Sequence, residues 1–181
     1  MVNVMKKYYD CELKDGSIIL NPDGDFEVTE FFDYNCVHCK AESKIIKQLM
    51  EVGKSVRLII KPIPILGKIS SYATQIGYGI IMSEPDKFVP YIRSIMNNFN
   101  DDGNQIKIAL QEADIDIQKL KAKLVAEKEN IIEMIKVNLN LAKELGITGA
   151  PAFLINGKLR IGELSLEDFN VELDKFKNSK A

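Results

Sequence analysis

The sequence predicts an α/β protein interrupted by an all-helical insertion. Three observations carry that expectation. Strand signals lie in residues 17–61 and return at 152–162, the stretch 67–145 has helical periodicity almost throughout, and neither flank could close a sheet alone. The predicted organisation is a discontinuous α/β domain of residues 1–66 and 146–181 with a helical insertion at 67–145. The 181 residues suit one domain carrying an insertion. A chain of this length buries about 70% of its unfolded surface, so it needs neither disulfide nor metal to hold a core.

Each element follows in order. Ser17–Leu20 is the first expected strand, closed by the turn cluster Asn21-Pro-Asp-Gly-Asp25. Phe26–Asp33 is apolar enough to be a buried strand. Asn35 then stands at an N-cap position before a helix through Met50, which Gly53 ends. Ser55–Lys61 is β-branched and central, stopped by Pro62 and Pro64. Helices are expected at Lys68–Met82, Pro85–Asn98, Asn104–Ala113, Asp116–Glu127 and Asn130–Leu145. Ala152–Asn156 and Lys158–Gly162 flank Asn156-Gly157, the strongest short hairpin signal. Ser165-Leu-Glu-Asp168 resembles a capping box and opens a last helix to about Lys177.

Composition excludes several functions. A formal charge of −2 gives no basic footprint for nucleic acid. Arg is confined to Arg57, Arg93 and Arg160, so bidentate phosphate clamps are not expected. A single histidine, His38, cannot build a multi-His metal site. There is no glycine-rich phosphate loop, no apolar run long enough to span a bilayer, and no apolar leader segment at the N-terminus. No cofactor and no metal is expected.

The chemistry is carried by Cys36-Val37-His38-Cys39, set between a strand and a helix. The unpaired N–H groups and partial positive charge of a helix start favour a thiolate. Cys36 at the helix mouth would be the nucleophile and Cys39, facing inward, the resolving thiol. A cationic or hydrogen-bonding His38 between them would lower the Cys36 pKa further. A pKa near 4 would stabilise the reduced form by about 4 kcal/mol at pH 7. That raises the reduction potential by about 90 mV. A zinc half-site or an inert buried pair are the alternatives, although only Cys11 is left as a further thiol ligand. Cys11 is expected to be a free thiol in a frayed N-terminal segment. The set Tyr72, Tyr78, Phe88, Tyr91 and Phe99 is expected in the helical core rather than in a substrate groove.

Three segments together resemble the thioredoxin-fold disulfide oxidoreductases of the DsbA group. Glu30-Phe-Phe-Asp-Tyr-Asn-Cys-Val-His-Cys-Lys40 is similar to that group's active-site segment. Lys61-Pro-Ile-Pro-Ile-Leu-Gly67 resembles the stretch after the third strand in ScsC-like and BdbD-like relatives, and Gly146-Ile-Thr-Gly-Ala-Pro-Ala-Phe-Leu-Ile-Asn156 resembles the cis-proline loop. The resemblance implies a thioredoxin-like fold with an inserted helical domain and a redox-active Cys36–Cys39 disulfide. It makes Pro151 the cis-proline, with Ala150, Pro151 and Val37 facing substrate. Glu30 becomes the buried acid that accepts or relays the Cys39 proton, its alternative being a solvated or cap-bonded carboxylate. Relatives often carry Thr or Val where this chain has Ala150, which offers neither hydroxyl nor bulk.

The expected activity is thiol–disulfide exchange that introduces disulfides into secreted or periplasmic proteins. Its partners would be unfolded or reduced secreted proteins and a membrane redox partner that reoxidises the pair. A monomer in the bacterial periplasm is expected, its leader absent from this chain, because about 16 residues before the first strand are too few for an oligomerising stalk. A disulfide isomerase or reductase, a metal-binding module and a glutathione-dependent DsbA-like enzyme are the rival readings.

Overall fold

Phe26–Phe32 (β3) is buried on both faces, with only Glu27 exposed; Thr29 and the carboxylate of Glu30 are buried among its apolar residues. The structure, a computed structural model, describes residues 11–41, 44, 56–98 and 103–179. Its six-stranded sheet has the order β1-β2-β4-β3-β5-β6. The remaining strands are β1 (Cys11–Lys14), β2 (Ser17–Leu20), β4 (Val56–Pro62), β5 (Ala152–Ile155) and β6 (Lys158–Ile161). β3 and β4 run parallel, Phe26 opposite Val56, and every other pairing is antiparallel. The βαβ and ββα ends of the chain therefore meet where β3 pairs with β5, Val28 opposite Ile155.

Two hairpins use the same turn chemistry. Asp15-Gly16 and Asn156-Gly157 have positive φ at both central residues, 49° and 73° in the first and 50° and 71° in the second. Asx-Gly pairs are the residues that tolerate this geometry. The first hairpin corrects the expectation that Ser17–Leu20 opens the sheet. Cys11 lies in an edge strand, opposite Leu20, rather than in a frayed segment.

Helix α1 has 37–41 and 44 among the described residues; its expected course to Met50 and its end at Gly53 lie outside them. Between β4 and β5 come α2 (Lys68–Ser83), α3 (Phe88–Asn97), α4 (Asn104–Glu112), α5 (Ile117–Ala126) and α6 (Lys128–Glu144), and α7 (Leu166–Ser179) closes the chain. Pro85–Lys87 is a separate 3₁₀ turn, so the helix expected from Pro85 starts at Phe88. Asp116 caps α5 by accepting the N–H groups of Gln118 and Lys119 at 3.0 and 3.1 Å. At α7, Ser165 and Asp168 exchange backbone and side-chain bonds of 2.8 and 3.1 Å as a capping box does.

One hydrophobic cluster runs from Ile18, Phe26 and Leu58 of the sheet to Ile76, Phe88, Ile106 and Leu120 of the helices. Tyr78, Phe88 and Tyr91 are in it, while Tyr72 departs from the expected core and is exposed; Phe99 lies outside the described residues. Fully buried Asn138 of α6 ties three layers together, its Nδ2 lying 2.9 Å from the Gly16 carbonyl and 3.0 Å from the Tyr78 hydroxyl.

Candidate active site

The loop from β3 into α1 is shaped by Asp33. Its carboxylate, fully buried, accepts the N–H of Asn35 at 2.7 Å, those of Ile65 and Leu66 at 2.9 and 3.0 Å, and the Ser70 hydroxyl at 2.7 Å. One side chain thus fastens the start of the cysteine segment to the loop after β4 and to the first turn of α2. Its carbonyl accepts the Cys36 N–H at 3.2 Å.

Helix α1 begins at residue 37, so Cys36, and not Asn35, is its N-cap. The Cys36 carbonyl accepts the first helical bond from Lys40 at 3.1 Å. Its sulfur lies 3.4 Å from the N–H of Cys39, the bond that a serine oxygen makes in an ordinary N-cap. Cys36 is 3% exposed and Cys39 fully buried; both are free thiols here.

The two thiols are pulled apart electrostatically. Cys36 is lowered from 9.0 to about 6, chiefly by a hydrogen bond from the Cys39 side chain, with the N–H groups of Cys39 and His38 adding to it against burial. Cys39 is pushed far up, first because it donates to Cys36, then by burial and by the negative field of Glu30. The N–H groups expected at the helix start do lower Cys36, through Cys39 and His38, but the largest cause is the Cys39 side chain, which the sequence did not suggest, and the value is about 6 and not near 4. The His38 imidazole is engaged by Glu163.

His38 Nδ1 bonds Glu163 Oε1, both side chains being well exposed, and this carboxylate raises the histidine pKa above 6.5. Glu163 had no sequence signal, since it lies 125 residues from its partner. Asp33 had none either, although a carboxylate inside an otherwise apolar strand end is unusual enough to invite the question.

The opposite wall is the loop before β5. The Ala150–Pro151 peptide is cis, Ala150 presents its carbonyl 3.2 Å from the Cys36 sulfur, and the Pro151 carbonyl accepts the Gly162 N–H at 2.9 Å. Glu30, 3% exposed, lies mid-strand in β3 between Ile60 and Phe153, so it is neither solvated nor a helix cap. Val37, Ile65, Leu66 and Tyr72 are exposed apolar side chains, 55%, 41%, 49% and 58% accessible. Each stands within a few residues of a group fastened to Asp33. Among the described residues no group of three or more His, Cys, Asp or Glu is placed to hold a metal ion, and no helix is long and apolar enough to cross a membrane.

A strand, a cysteine-capped helix with a second thiol three residues on, and a cis-proline opposite form the setting of dithiol exchange. The family model described as Thioredoxin matches residues 14–175. The chain belongs to the thioredoxin family. It is a thiol–disulfide oxidoreductase, with Cys36 and Cys39 as its close cysteine pair. The fold is shared with the thiol–disulfide exchange protein alpha-DsbA2 of Wolbachia pipientis (24% identity, 86% of this chain and 84% of that one, TM-score 0.79). It is shared too with ScsC of Proteus mirabilis in a transitional conformation (23%, 96% and 77%, TM-score 0.79) and a thioredoxin-like oxidoreductase of Silicibacter pomeroyi (23%, 96% and 97%, TM-score 0.81). No curated protein matches the sequence.

Proposed function

We propose that the protein introduces disulfides into secreted proteins in the bacterial periplasm, with Cys36–Cys39 as the redox-active disulfide. The observation that carries the reading is the asymmetric setting of the pair: the Cys36 sulfur caps α1, 3.4 Å from the Cys39 N–H, which favours its thiolate, while Cys39 is fully buried, which favours its thiol. A substrate thiolate attacks the Cys36 sulfur of the disulfide and forms a mixed disulfide. The Cys36–Cys39 bond breaks and the electron pair goes to Cys39, which takes a proton; Glu30 is the group we assign to supply or relay it. A second substrate thiolate then attacks the substrate sulfur of the mixed disulfide, forming the new substrate disulfide and expelling Cys36 as a thiolate. A low-pKa thiol leaves readily, so this last step is the one the site favours. A membrane redox partner would then take two electrons and restore the disulfide.

The apolar side chains of Val37, Ile65, Leu66 and Tyr72 support an unfolded polypeptide as substrate. Ala150, held in place by cis-Pro151, would pair its backbone with an extended segment of it, the carbonyl of Ala150 already lying beside the sulfur, and Pro151 would face that segment with its ring. His38 is assigned to support the thiolate.

The test is the reduction potential of the pair in glutathione buffers, read by alkylation mass shifts in a Cys11→Ser background. A value between about −120 and −180 mV supports donation or shuffling of disulfides, and one near −270 mV makes the protein a reductant and sinks the proposal. Oxidation of a reduced substrate without rearrangement of a scrambled one separates oxidase from isomerase. A light-scattering mass of a trimer would count against the monomeric oxidase.

A further inference from the structure

His38 and Glu163 reach each other from opposite walls of the site. His38 lies in the first turn of α1, two residues past Cys36. Glu163 follows Gly162, whose N–H is fixed on the Pro151 carbonyl at 2.9 Å. The bond from His38 Nδ1 to Glu163 Oε1 therefore joins the cysteine side to the proline side. A carboxylate only accepts, so the imidazole must carry a proton on Nδ1 to meet it, which fixes the ring's orientation and favours its charged form. Both side chains are at least half exposed, and such a pair contributes little to stability. Its consequence lies instead in what stands next to it. The titratable groups acting on His38 are Glu163 and Cys36, and those acting on Cys36 are Cys39 and Asp33.

We propose that Glu163 is a positioning residue of the redox site: it holds the His38 imidazole in place and charged, and so makes the Cys36 thiolate respond to pH through a residue on the proline side. The proposal rests on the reading of Cys36 as the attacking thiol. The sign is fixed by mutual attraction. Imidazolium and thiolate favour one another, so whatever keeps His38 protonated also favours ionised Cys36. Without Glu163 the ring gives up its proton at lower pH. Between the two midpoints the variant has a neutral His38 where the native protein has a cation, and in that window its thiolate is less supported. Below the window both rings are charged, and above it both are neutral.

His38 is the only histidine in the chain, so its ring resonances can be followed by NMR without ambiguity. The experiment titrates His38 in the reduced protein, Glu163→Gln and Glu163→Asp, and measures the Cys36 alkylation rate on the same samples. In the native protein His38 should titrate above 6.5. In Glu163→Gln it should fall back toward that value, with Cys36 alkylation slowed by about 10–25% inside the window, because a thiol with a midpoint of about 6 is already mostly ionised there, and unchanged below it. Glu163→Asp should recover part of both effects. An unmoved His38 midpoint in Glu163→Gln overturns the proposal, and so does a moved midpoint with an unchanged Cys36 profile. A native Cys36 midpoint near 9 would sink the reading of the site itself, and the proposal with it; the acidity of native Cys36 tells the two failures apart.

Discussion

The Cys36 sulfur lies 3.2 Å from the carbonyl oxygen of Ala150, and only the neutral thiol can use that contact. An S–H donates to the carbonyl, whereas a thiolate has nothing to donate. The Cys39 N–H, 3.4 Å away on the other side, favours the thiolate instead. Ionisation therefore releases the Ala150 carbonyl beside the sulfur, where an incoming backbone N–H can take it. Cys39 decides the balance, since the hydrogen bond from its side chain is the largest cause of the lowered Cys36 pKa. In a Cys11→Ser background, iodoacetamide alkylation of the reduced protein should show a midpoint of about 6. Cys39→Ala should move that midpoint up by more than one pH unit, roughly the worth of one charge-assisted hydrogen bond. Cys39→Ser keeps a hydroxyl donor and should move it less. Equal midpoints in all three proteins would exclude Cys39 as the cause.

The same shift makes the reduced protein's stability depend on pH. The folded thiol ionises at about 6 against 9.0 for an ordinary cysteine, so the thiolate adds nothing below pH 6, grows between 6 and 9, and is fully present above 9. It is lost as pH falls through the folded value. At pH 7 the contribution is on the order of 1–2 kcal/mol. It corresponds to about 20–40 mV in the two-electron potential, well short of the roughly 90 mV that a pKa near 4 would give. Urea unfolding of the reduced protein at pH 5.5 and pH 8 should show this gain, and Cys36→Ser should abolish it.

Five of the six strands, the capped starts of α5 and α7 and the cysteine pair are legible in the sequence because their signals are local. Periodicity, Asp116, Asn156-Gly157 and Ser165–Asp168 each act over a few residues. β1 is not legible in Cys11-Glu-Leu-Lys14, which has no β-branched or aromatic residue; its signal is the Asp15-Gly16 turn, the same chemistry as Asn156-Gly157. In the site, Asp33 and Glu163 escape notice because their partners are distant in the chain: the Leu66 N–H is 33 residues from Asp33, and His38 is 125 from Glu163. For His38, spacing alone could not show that its backbone N–H acts on Cys36 while its ring serves Glu163.

Asp33 is expected to be the least replaceable polar side chain of the loop. Removing its carboxylate strands three backbone N–H groups and the Ser70 hydroxyl, and a buried donor left without a partner costs about 1–3 kcal/mol. Asp33→Ala should therefore lose about 1–3 kcal/mol in urea unfolding, because the Ser70 hydroxyl is buried whereas the three backbone N–H groups are only partly so and within reach of water. Asp33→Asn keeps one acceptor oxygen but turns an NH₂ toward other donors, and should lose less. Asp33 also raises the Cys36 pKa through its charge, so the Asn variant should ionise Cys36 at slightly lower pH. A loss below about 1 kcal/mol in Asp33→Ala would mean that water takes over these bonds.

Gly77 lets α2 approach the cysteine loop. A Cβ there would meet the Tyr34 hydroxyl oxygen well inside contact distance and Tyr34 Cζ at 3.1 Å. The ring cannot swing out, because it is buried and packed edge-on to Phe32 at 5.0 Å and against Tyr91 at 6.2 Å. Gly77→Ala should cost about 1–3 kcal/mol by overpacking, despite the better helix propensity of alanine. Tyr34 is two residues before Cys36, so displacing it should also change the Cys36 alkylation rate. Tyr34→Phe removes the oxygen that Cβ strikes, and adding it to Gly77→Ala should recover part of the loss. The double variant should then be more stable than the sum of the single effects by about 0.5–3 kcal/mol, as contacting residues are. Strict additivity in urea unfolding would show that the clash is relieved elsewhere, by movement of α2 against the sheet.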